Sequence, residues 1–309
     1  MGFFLFIICV VLALCSTLAF FRFGWRIVPV LVSAACIPFI ITDYAGDVTV
    51  YISPAVFGIA GGYCFRKKLG LDFYLTVSAI AFAVLFTGNY LFQKNVRGFD
   101  IVKASMDEMA VLLESSKPEI DRLAAQYNKP KEERDKLVAD IDTLIATMKD
   151  SKWMQMARDI MPFSAFLLAA AIAGTSFLFM MKFTMKKAAS SVKPLQFFRL
   201  NDYFIFALIA GIAGLLLLKH ESYPVLYVIA LNTALVVSAL YVIQAMGIVK
   251  HYFIRRNIPV YVLPLLLITL TLISPGLMVF FMILFTGLGS LDLWADFRKL
   301  RPDTMNNKE

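Results

Sequence analysis

The sequence has few charged residues for its length, and this scarcity excludes an ordinary soluble protein. Charged side chains make up 17% of the 309 residues and hydrophobic side chains 60%, whereas soluble domains average about 25% and 45–50%. Runs of about 20 apolar residues, the length of a helix that crosses a bilayer, recur along the chain. The composition therefore predicts a membrane protein.

Cysteine and histidine are also scarce, and their positions do not suit a redox or metal site. The four cysteines lie inside apolar segments, without a Cys-x-x-Cys pair or a histidine at metal-binding spacing. No hydrolase, nucleotide-binding or metalloprotease motif occurs, and no charged residue lies near the centre of a predicted span, where proton pumps usually carry one. We therefore expect no metal, no cofactor and no enzymatic activity.

Basic residues cluster in every second loop between the apolar segments. The clusters lie at residues 21–26, 65–68, 182–193 and 250–256. Loops rich in lysine and arginine remain on the cytoplasmic side of a membrane, so the N-terminus is predicted outside and the C-terminus inside. The net charge of +8 is then matched by anionic lipid, and no nucleic-acid partner is expected.

The apolar segments predict an all-α fold with eight to nine membrane spans, and nine is the preferred count. They lie at 2–20, 27–42, 50–65, 71–92, 161–182, 202–219, 224–248, 258–273 and 276–292. Ser274, Pro275 and Gly276 separate the last two, and one kinked helix over 258–292 is the alternative. The predicted domains are transmembrane helices 1–4 at 1–99, a polar insert at 100–160, transmembrane helices 5–9 at 161–292 and a cytoplasmic tail at 293–309.

The polar insert at 100–160 predicts an extracytoplasmic helical hairpin. Each of two segments, 116–119 and 128–132, combines a capping residue with a proline, as at a helix start. Leu137, Ile141 and Leu144 then recur at helical spacing beside a charged face. This stripe packs within the protein or binds a protein partner, and the sequence leaves both open.

Polar residues are few in the predicted spans, and the seventh span holds several of them in otherwise aliphatic sequence. Thr233, Tyr241 and Gln244 fall within about 80° on a helical wheel, and Asn232 adjoins them. They either bond neighbouring helices or line a solute cavity, to which Asn89 and Tyr90 of the fourth span would contribute. Small-residue repeats in the third, fifth and sixth spans mark close packing, inside the protein or in a homo-oligomer.

Two segments beside the membrane carry further polar residues. The first runs from Pro194 to Asp202, and the second contains Asp292, Trp294, Asp296 and Arg298 at helical spacing. The second segment is either an interfacial anchor or part of a lock between helix ends. In the lock, Asp292 or Asp296 would pair with Arg199 or Arg256.

The same two segments resemble the YybS-like family of bacterial integral membrane proteins. The matching residues are Pro194, Phe198, Arg199 and Asp202, then Gly289, Asp292, Trp294, Asp296, Phe297 and Arg298. That family has no established activity, and it is distantly similar to the substrate-binding subunits of energy-coupling-factor vitamin transporters. The resemblance implies a bacterial inner-membrane location and an outward-facing pocket for a small solute.

Two functions remain as hypotheses. The first is small-solute binding or transport, with the polar residues of the seventh span lining a cavity under the insert. The second is a non-enzymatic membrane scaffold whose insert docks an envelope partner along Leu137, Ile141 and Leu144. The lipid bilayer is a partner in both.

Overall fold

A computed structural model describes residues 2–33, 48–184 and 195–298, and every regular element in these residues is helical. The α-helices are α1 Gly2–Phe23, α2 Val48–Lys67, α3 Leu71–Arg97, α4 Ile101–Gln126, α5 Lys131–Lys149, α6 Ser151–Asp159, α7 Met161–Phe179, α8 Phe204–Leu217, α9 Pro224–Arg255, α10 Val262–Ile273 and α11 Pro275–Ala295. Short 3₁₀ turns lie at Gly24–Ile27 and Leu195–Phe197, and a π-helical turn lies at Met180–Thr184.

Within the described residues, five helical stretches are long and apolar enough to cross a membrane. They are Ile7–Ser33, Phe73–Arg97, Met161–Lys182, Pro224–Arg255 and Gly276–Ala295. The predicted membrane character and all-helical fold are thus confirmed, whereas the count of nine spans stays a prediction. Most of the predicted second span, 27–42, lies outside the described residues.

The chain divides into two units, residues 1–84 with 163–309 and residues 85–162. In the first unit, α1 and α2 run in the same direction, because Gly58 abuts Ser16 and Gly62 abuts Phe20. This is the relative direction that one intervening span would give. A Cβ at Gly62 would stand 2.6 Å from the Phe20 ring, so the close approach of the two helices depends on glycine there.

The C-terminal part of this unit is built around α9. Helix α8 packs antiparallel to it, with Gly211 against Ala234 and Gly214 against Ala230. Helix α11 instead runs in the same direction as α9. Its contacts with α9 advance together along both helices, joining Thr286 to Ser238, Gly289 to Tyr241 and Asp292 to Gln244.

Because α9 and α11 are parallel, the chain between them returns along α9. Pro275 begins α11 near the start of α9, about 40 Å from Arg255 at the other end. Helix α10 covers about 18 Å of this distance with its 12 residues, and the flanking chain covers the rest. The predicted break is present: Ser274 is extended, with φ −160° and ψ 122°, so 258–292 holds two helices rather than one kinked helix.

The second unit contains the insert, which is helical as predicted. Helices α4 and α5 form an antiparallel hairpin, and Nζ of Lys117 binds Asp142 across it at 2.5 Å. Arg134 and Asp121 form a second cross-hairpin ion pair at 3.6 Å. Helix α5 begins at Lys131 after Pro130, where the sequence predicts a helix start.

The other predicted helix start, at 116–119, is wrong. Pro118 lies inside α4, which begins instead at Ile101 after the cap Asp100, whose carboxylate accepts the N–H groups of Val102 and Lys103. The hydroxyl of Ser116 bonds back to a carbonyl in the preceding turn rather than capping a new helix. An interior proline costs about 3 kcal/mol in a helix, so its place in α4 is set by the hairpin as a whole and not by local preference.

Candidate functional site at the end of helix α11

Helix α11 ends in a turn that folds the chain back onto the helix. Asp296 adopts the left-handed conformation, with φ 41° and ψ 54°, which aspartate tolerates better than most residues. Its N–H donates to the carbonyl oxygen of Asp292 at 3.2 Å, and the N–H of Phe297 donates to Oδ1 of Asp292 at 3.0 Å. The turn thereby places Arg298 beside Asp292.

Asp292 and Arg298 form a buried ion pair. Nη2 of Arg298 donates to Oδ2 of Asp292 at 2.5 Å, and the side chains are 0% and 1% exposed respectively. A buried pair recovers its lost hydration only when other hydrogen bonds occupy the remaining polar atoms. Gln244 of α9 supplies one of these, because its Nε2 donates to the same Oδ2 at 3.2 Å.

Arg298 and Gln244 also hold the backbone of the segment that precedes α8. Nη1 of Arg298 donates to the carbonyl oxygens of Gln196 at 2.9 Å and Phe198 at 2.8 Å. Oε1 of Gln244 accepts the N–H of Leu200 at 2.9 Å. We call Gln244, Asp292 and Arg298 the C-terminal polar network. It connects α9, α11 and the segment 195–200.

Two glycines allow these segments to approach closely enough for the network to form. A Cβ at Gly247 would stand 2.6 Å from the carbonyl oxygen of Leu195, and a Cβ at Gly289 would overlap the carbonyl oxygen of Tyr241. The carbonyl of Gly289 also accepts Nε2 of Gln244 at 3.0 Å. Close backbone packing and buried polar bonds therefore depend on each other here.

The arrangement suits a structural lock. Its one acidic and one basic side chain neutralise each other, and backbone groups occupy most of the other hydrogen-bonding atoms. None of the three side chains is a hydroxyl or thiol nucleophile. In the part of the chain that the structure describes, no three His, Cys, Asp or Glu side chains are grouped as metal ligands would be.

The residues of the predicted cytoplasmic motifs have different environments. Asp292 and Arg298 belong to the network, which also includes the carbonyl of Phe198, and Asp296 forms the turn. Trp294 is 66% exposed, and Nη2 of Arg199 lies 3.5 Å from Oδ1 of Asp202. Pro194 is outside the described residues. The predicted pairing of Asp292 with Arg199 or Arg256 is wrong, because its partner is Arg298. Helical spacing places Arg298 away from Asp292, and only the left-handed turn brings them together.

The residues predicted to line a solute cavity are also divided. Tyr241 and Gln244 are buried, Thr233 is half-buried, and Gln244 belongs to the network. Oδ1 of Asn232 accepts the N–H of Phe163 at 2.9 Å, which joins α9 to the start of α7. Gln244 and Asn232 therefore connect chain segments, one of the two roles that the sequence left open. Solute access to Thr233 and Tyr241 stays a prediction.

Asn89 and Tyr90, the other two residues predicted for the cavity, lie in the second unit on α3. Asn89 is half-buried. Tyr90 is 7% exposed, and its ring packs with Val102 and Met161. Its hydroxyl has no hydrogen-bond partner among the described residues. A role of these two residues in solute binding remains a prediction.

Comparison with known proteins identifies a family. The family described as "Predicted membrane protein (DUF2232)" matches residues 1–293. The chain belongs to this family. No curated protein and no solved structure matches the chain. DUF2232 membership agrees with the apolar helices and establishes the class of membrane protein. The resemblance to the YybS-like family and to transporter subunits remains an expectation.

Several residues around the C-terminal polar network of this DUF2232 protein take part without a side-chain pattern that the sequence would reveal. Gln196 and Leu200 contribute only backbone groups to the network, and Gly247 contributes only the space for a neighbouring carbonyl. The polarity of Gln244 is visible in the sequence, but its partners lie 44, 45 and 48 positions away in the chain. Spacing within one helix gives no access to such contacts.

Proposed function

We propose that this DUF2232 protein is a membrane scaffold whose insert docks a helical segment of an envelope protein. The proposal rests on an exposed apolar face of the α4–α5 hairpin. Met109, Leu112 and Leu123 of α4 and Leu144 of α5 are 50%, 61%, 42% and 45% exposed. We call these four residues the docking face. Exposed apolar residues that share one face indicate an interaction site more strongly than scattered ones do.

Helical geometry places the α4 residues of the docking face on one side of that helix. Met109, Leu112 and Leu123 fall within about 60° on the wheel of α4. Leu137 and Ile141, two of the residues predicted to form the stripe, are half-buried, while Leu144 is exposed. The apolar surface is therefore carried mainly by α4, and the stripe on α5 forms its edge.

The other side of the hairpin is charged, and the ion pairs that join α4 to α5 lie there. Lys117, Asp121, Arg134 and Asp142 line a groove of about 490 Å³ on this side. The hydrogen bond with Asp142, reinforced by one with Glu114, raises the pKa of Lys117. Because the cross-hairpin ion pairs lie here, the apolar side is left available for a partner.

An amphipathic helix is the partner that this geometry fits best. Two antiparallel helices with apolar residues at helical spacing form a shallow groove between their ridges, and a third helix packs into such a groove. The neighbouring charged side would fix the orientation of the partner. A second copy of this chain would be recognised in the same experiment by the mass of the complex.

The proposal is tested by the native mass of the protein solubilised in mild detergent. Wild-type protein should migrate as a complex with its partner, and Leu112→Asp should release it, because the change buries an unpaired carboxylate in the contact. Ala139→Asp introduces the same charge on an exposed position of the charged side and should leave the complex intact. Equal release by both variants, or a wild-type protein that is already free, would contradict the proposal.

Small-solute binding or transport, the first of the two functions that the sequence predicts, is the second candidate, and the resemblance to transporter subunits supports it. Gln244 and Asn232 give it less support, because the side-chain oxygen of each already accepts a backbone N–H of the protein. Single cysteines at Thr233 and Tyr241, in a variant without the native cysteines, distinguish the functions. Labelling by an impermeant thiol reagent from outside favours a cavity, and protection at both positions favours the scaffold.

We also propose a bacterial inner-membrane location, nine spans, and an extracytoplasmic insert and N-terminus. The alternation of basic loops supports this topology, as does the return of the chain between the parallel helices α9 and α11. Cysteines at Asp140 and Lys308 test it with the same reagent. Labelling of Asp140 only from outside and of Lys308 only from inside is expected. Labelling of both from the same side would contradict the topology.

A further inference from the structure

The second unit carries another exposed surface, where the insert joins its two membrane helices. Tyr90 near the end of α3, Val102 at the start of α4 and Met161 at the start of α7 form a buried cluster. Ala157 of α6 packs against this cluster. Arg158 of α6 binds Asp100, the cap of α4, at 2.8 Å. Helix α6 is therefore fixed beside the ends of α3 and α7.

Helix α6 also carries exposed apolar side chains. Trp153 and Met156 lie three positions apart, and hence on one face of the helix, and they are 51% and 48% exposed. Val96 and Phe99, at the end of α3 and just after it, are 68% and 48% exposed. We call Val96, Phe99, Trp153 and Met156 the collar.

The collar adjoins helical stretches that are long and apolar enough to cross a membrane. Phe92, about one turn earlier in α3 and within about 40° of Val96 on the helical wheel, is 49% exposed. Val96 extends this exposed side of α3 towards the insert. Helix α6 ends at Asp159, two residues before the membrane-spanning stretch that starts at Met161. Trp153 therefore lies about two helical turns of chain from the start of a stretch that can cross a membrane.

The charge around the collar is complementary to anionic lipid. Residues 94–103 and 149–159 together hold six basic side chains and three acidic ones. Lys103 and Lys152 are exposed. Exposed lysines beside a tryptophan on a short amphipathic helix are the features that hold a helix at a membrane surface. Tryptophan itself is enriched at the level of lipid headgroups.

We propose that the collar binds anionic phospholipid, with Trp153 and Met156 inserted at the boundary between headgroups and acyl chains. The exposed lysines contact the phosphate groups, and the cluster around Tyr90 keeps α6 at a fixed position relative to the ends of α3 and α7. The base of the insert is therefore held at the membrane surface. This inference does not depend on the docking face, which lies on different residues.

The insertion of Trp153 is tested by fluorescence quenching with brominated lipid. The protein has three tryptophans, so Trp25→Phe with Trp294→Phe leaves Trp153 as the sole reporter in proteoliposomes. Both replaced residues are 66% exposed, which makes them tolerant of substitution. A matched reporter adds Trp153→Phe and Leu112→Trp, which moves the only tryptophan to the docking face.

The two reporters show whether Trp153 lies closer to the acyl chains than the docking face does. The proposal expects brominated acyl chains to quench Trp153 strongly and Leu112→Trp weakly, with the reverse order for the aqueous quencher acrylamide. Quenching of Trp153 by brominated lipid that is no stronger than that of Leu112→Trp would overturn it.

Hydrogen exchange of wild-type protein in nanodiscs gives a test without substitution. Amides of 151–159 should exchange more slowly when anionic lipid is added, and unchanged exchange would also overturn the proposal.

The preference for anionic lipid is tested by comparing brominated phosphatidylglycerol with brominated phosphatidylcholine. Lys103→Gln with Lys152→Gln should lower the preference by up to about fivefold for each charge removed. Lys131→Gln with Lys136→Gln removes two exposed lysines of α5 and should leave the preference unchanged. Equal quenching by the two lipids, or an equal loss in the control, would show that charge does not hold the collar.

Discussion

Asp292→Asn is expected to destabilise the C-terminal part of the protein by about 3–5 kcal/mol. The side chain keeps its size and still accepts the N–H of Phe297, but the guanidinium of Arg298 is left buried without a counter-charge. The magnitude follows from burial, because both side chains are almost fully excluded from solvent. An exposed pair at the same distance would contribute about 0–1 kcal/mol.

Arg298→Met should cost a similar amount, since it leaves the carboxylate of Asp292 buried and also removes two bonds to backbone carbonyls. The double variant holds no unpaired buried charge. Its cost should therefore fall below the sum of the single costs by about 2–3 kcal/mol. This coupling is the quantity that separates a paired network from two independent contacts.

Unfolding can be followed by titration with a denaturing detergent. Trp294 lies two residues from Asp292, and Trp25→Phe with Trp153→Phe leaves it as the local reporter. Asp140→Asn is the control, because Asp140 is exposed on α5, and it should change stability by less than about 0.5 kcal/mol. Additive costs for Asp292→Asn and Arg298→Met, or costs as small as that of the control, would refute the account of the network.

The other predictions concern single positions. Gly289→Ala should destabilise the protein by about 1–3 kcal/mol, because the new methyl group overlaps a carbonyl of α9; Gly287→Ala, whose methyl group meets nothing within 4 Å, should be neutral, and equal effects in detergent unfolding would contradict this. Asn232→Ala should cost about 1–3 kcal/mol in the same assay, because a backbone N–H at the start of α7 loses its acceptor, and a neutral result would show that the bond is dispensable. The raised pKa of Lys117 means that its ion pair with Asp142 stabilises the hairpin below the ordinary lysine pKa of about 10.4 and loses its effect as the pH rises above it. The melting difference between wild type and Lys117→Met should therefore vanish at high pH, and a difference that grows there would contradict the sign.

Features with local causes could be predicted from the sequence. The apolar helices follow from composition, the start of α5 follows from Pro130, and the end of α10 follows from Pro275 after Ser274. Each signal acts within a few residues, through a missing N–H or a capping group. The helical hairpin of the insert follows from the same kind of signal.

Features set by distant contacts could not be predicted. The local signals at Pro118 match those of a helix start, but α4 continues through Pro118 and pairs with α5 across the hairpin. The sequence shows the parts of the network but not their contact, since the turn at Asp296 reverses the direction of the chain. The number of spans is hard to predict for a related reason. Helix α10 has only 12 residues, and its return across α9 is visible only from the register of α9 with α11.

The central claim, that the insert docks a partner through one face, is tested most directly by site-specific photo-crosslinking in intact membranes. A photoreactive residue at Leu112 should give one protein adduct of discrete mass, while the same residue at Asp135, on the charged side of the hairpin, should give none. An adduct at twice the mass of the chain would identify a second copy instead of another envelope protein. Equal labelling from both positions, or lipid adducts alone at Leu112, would contradict the claim.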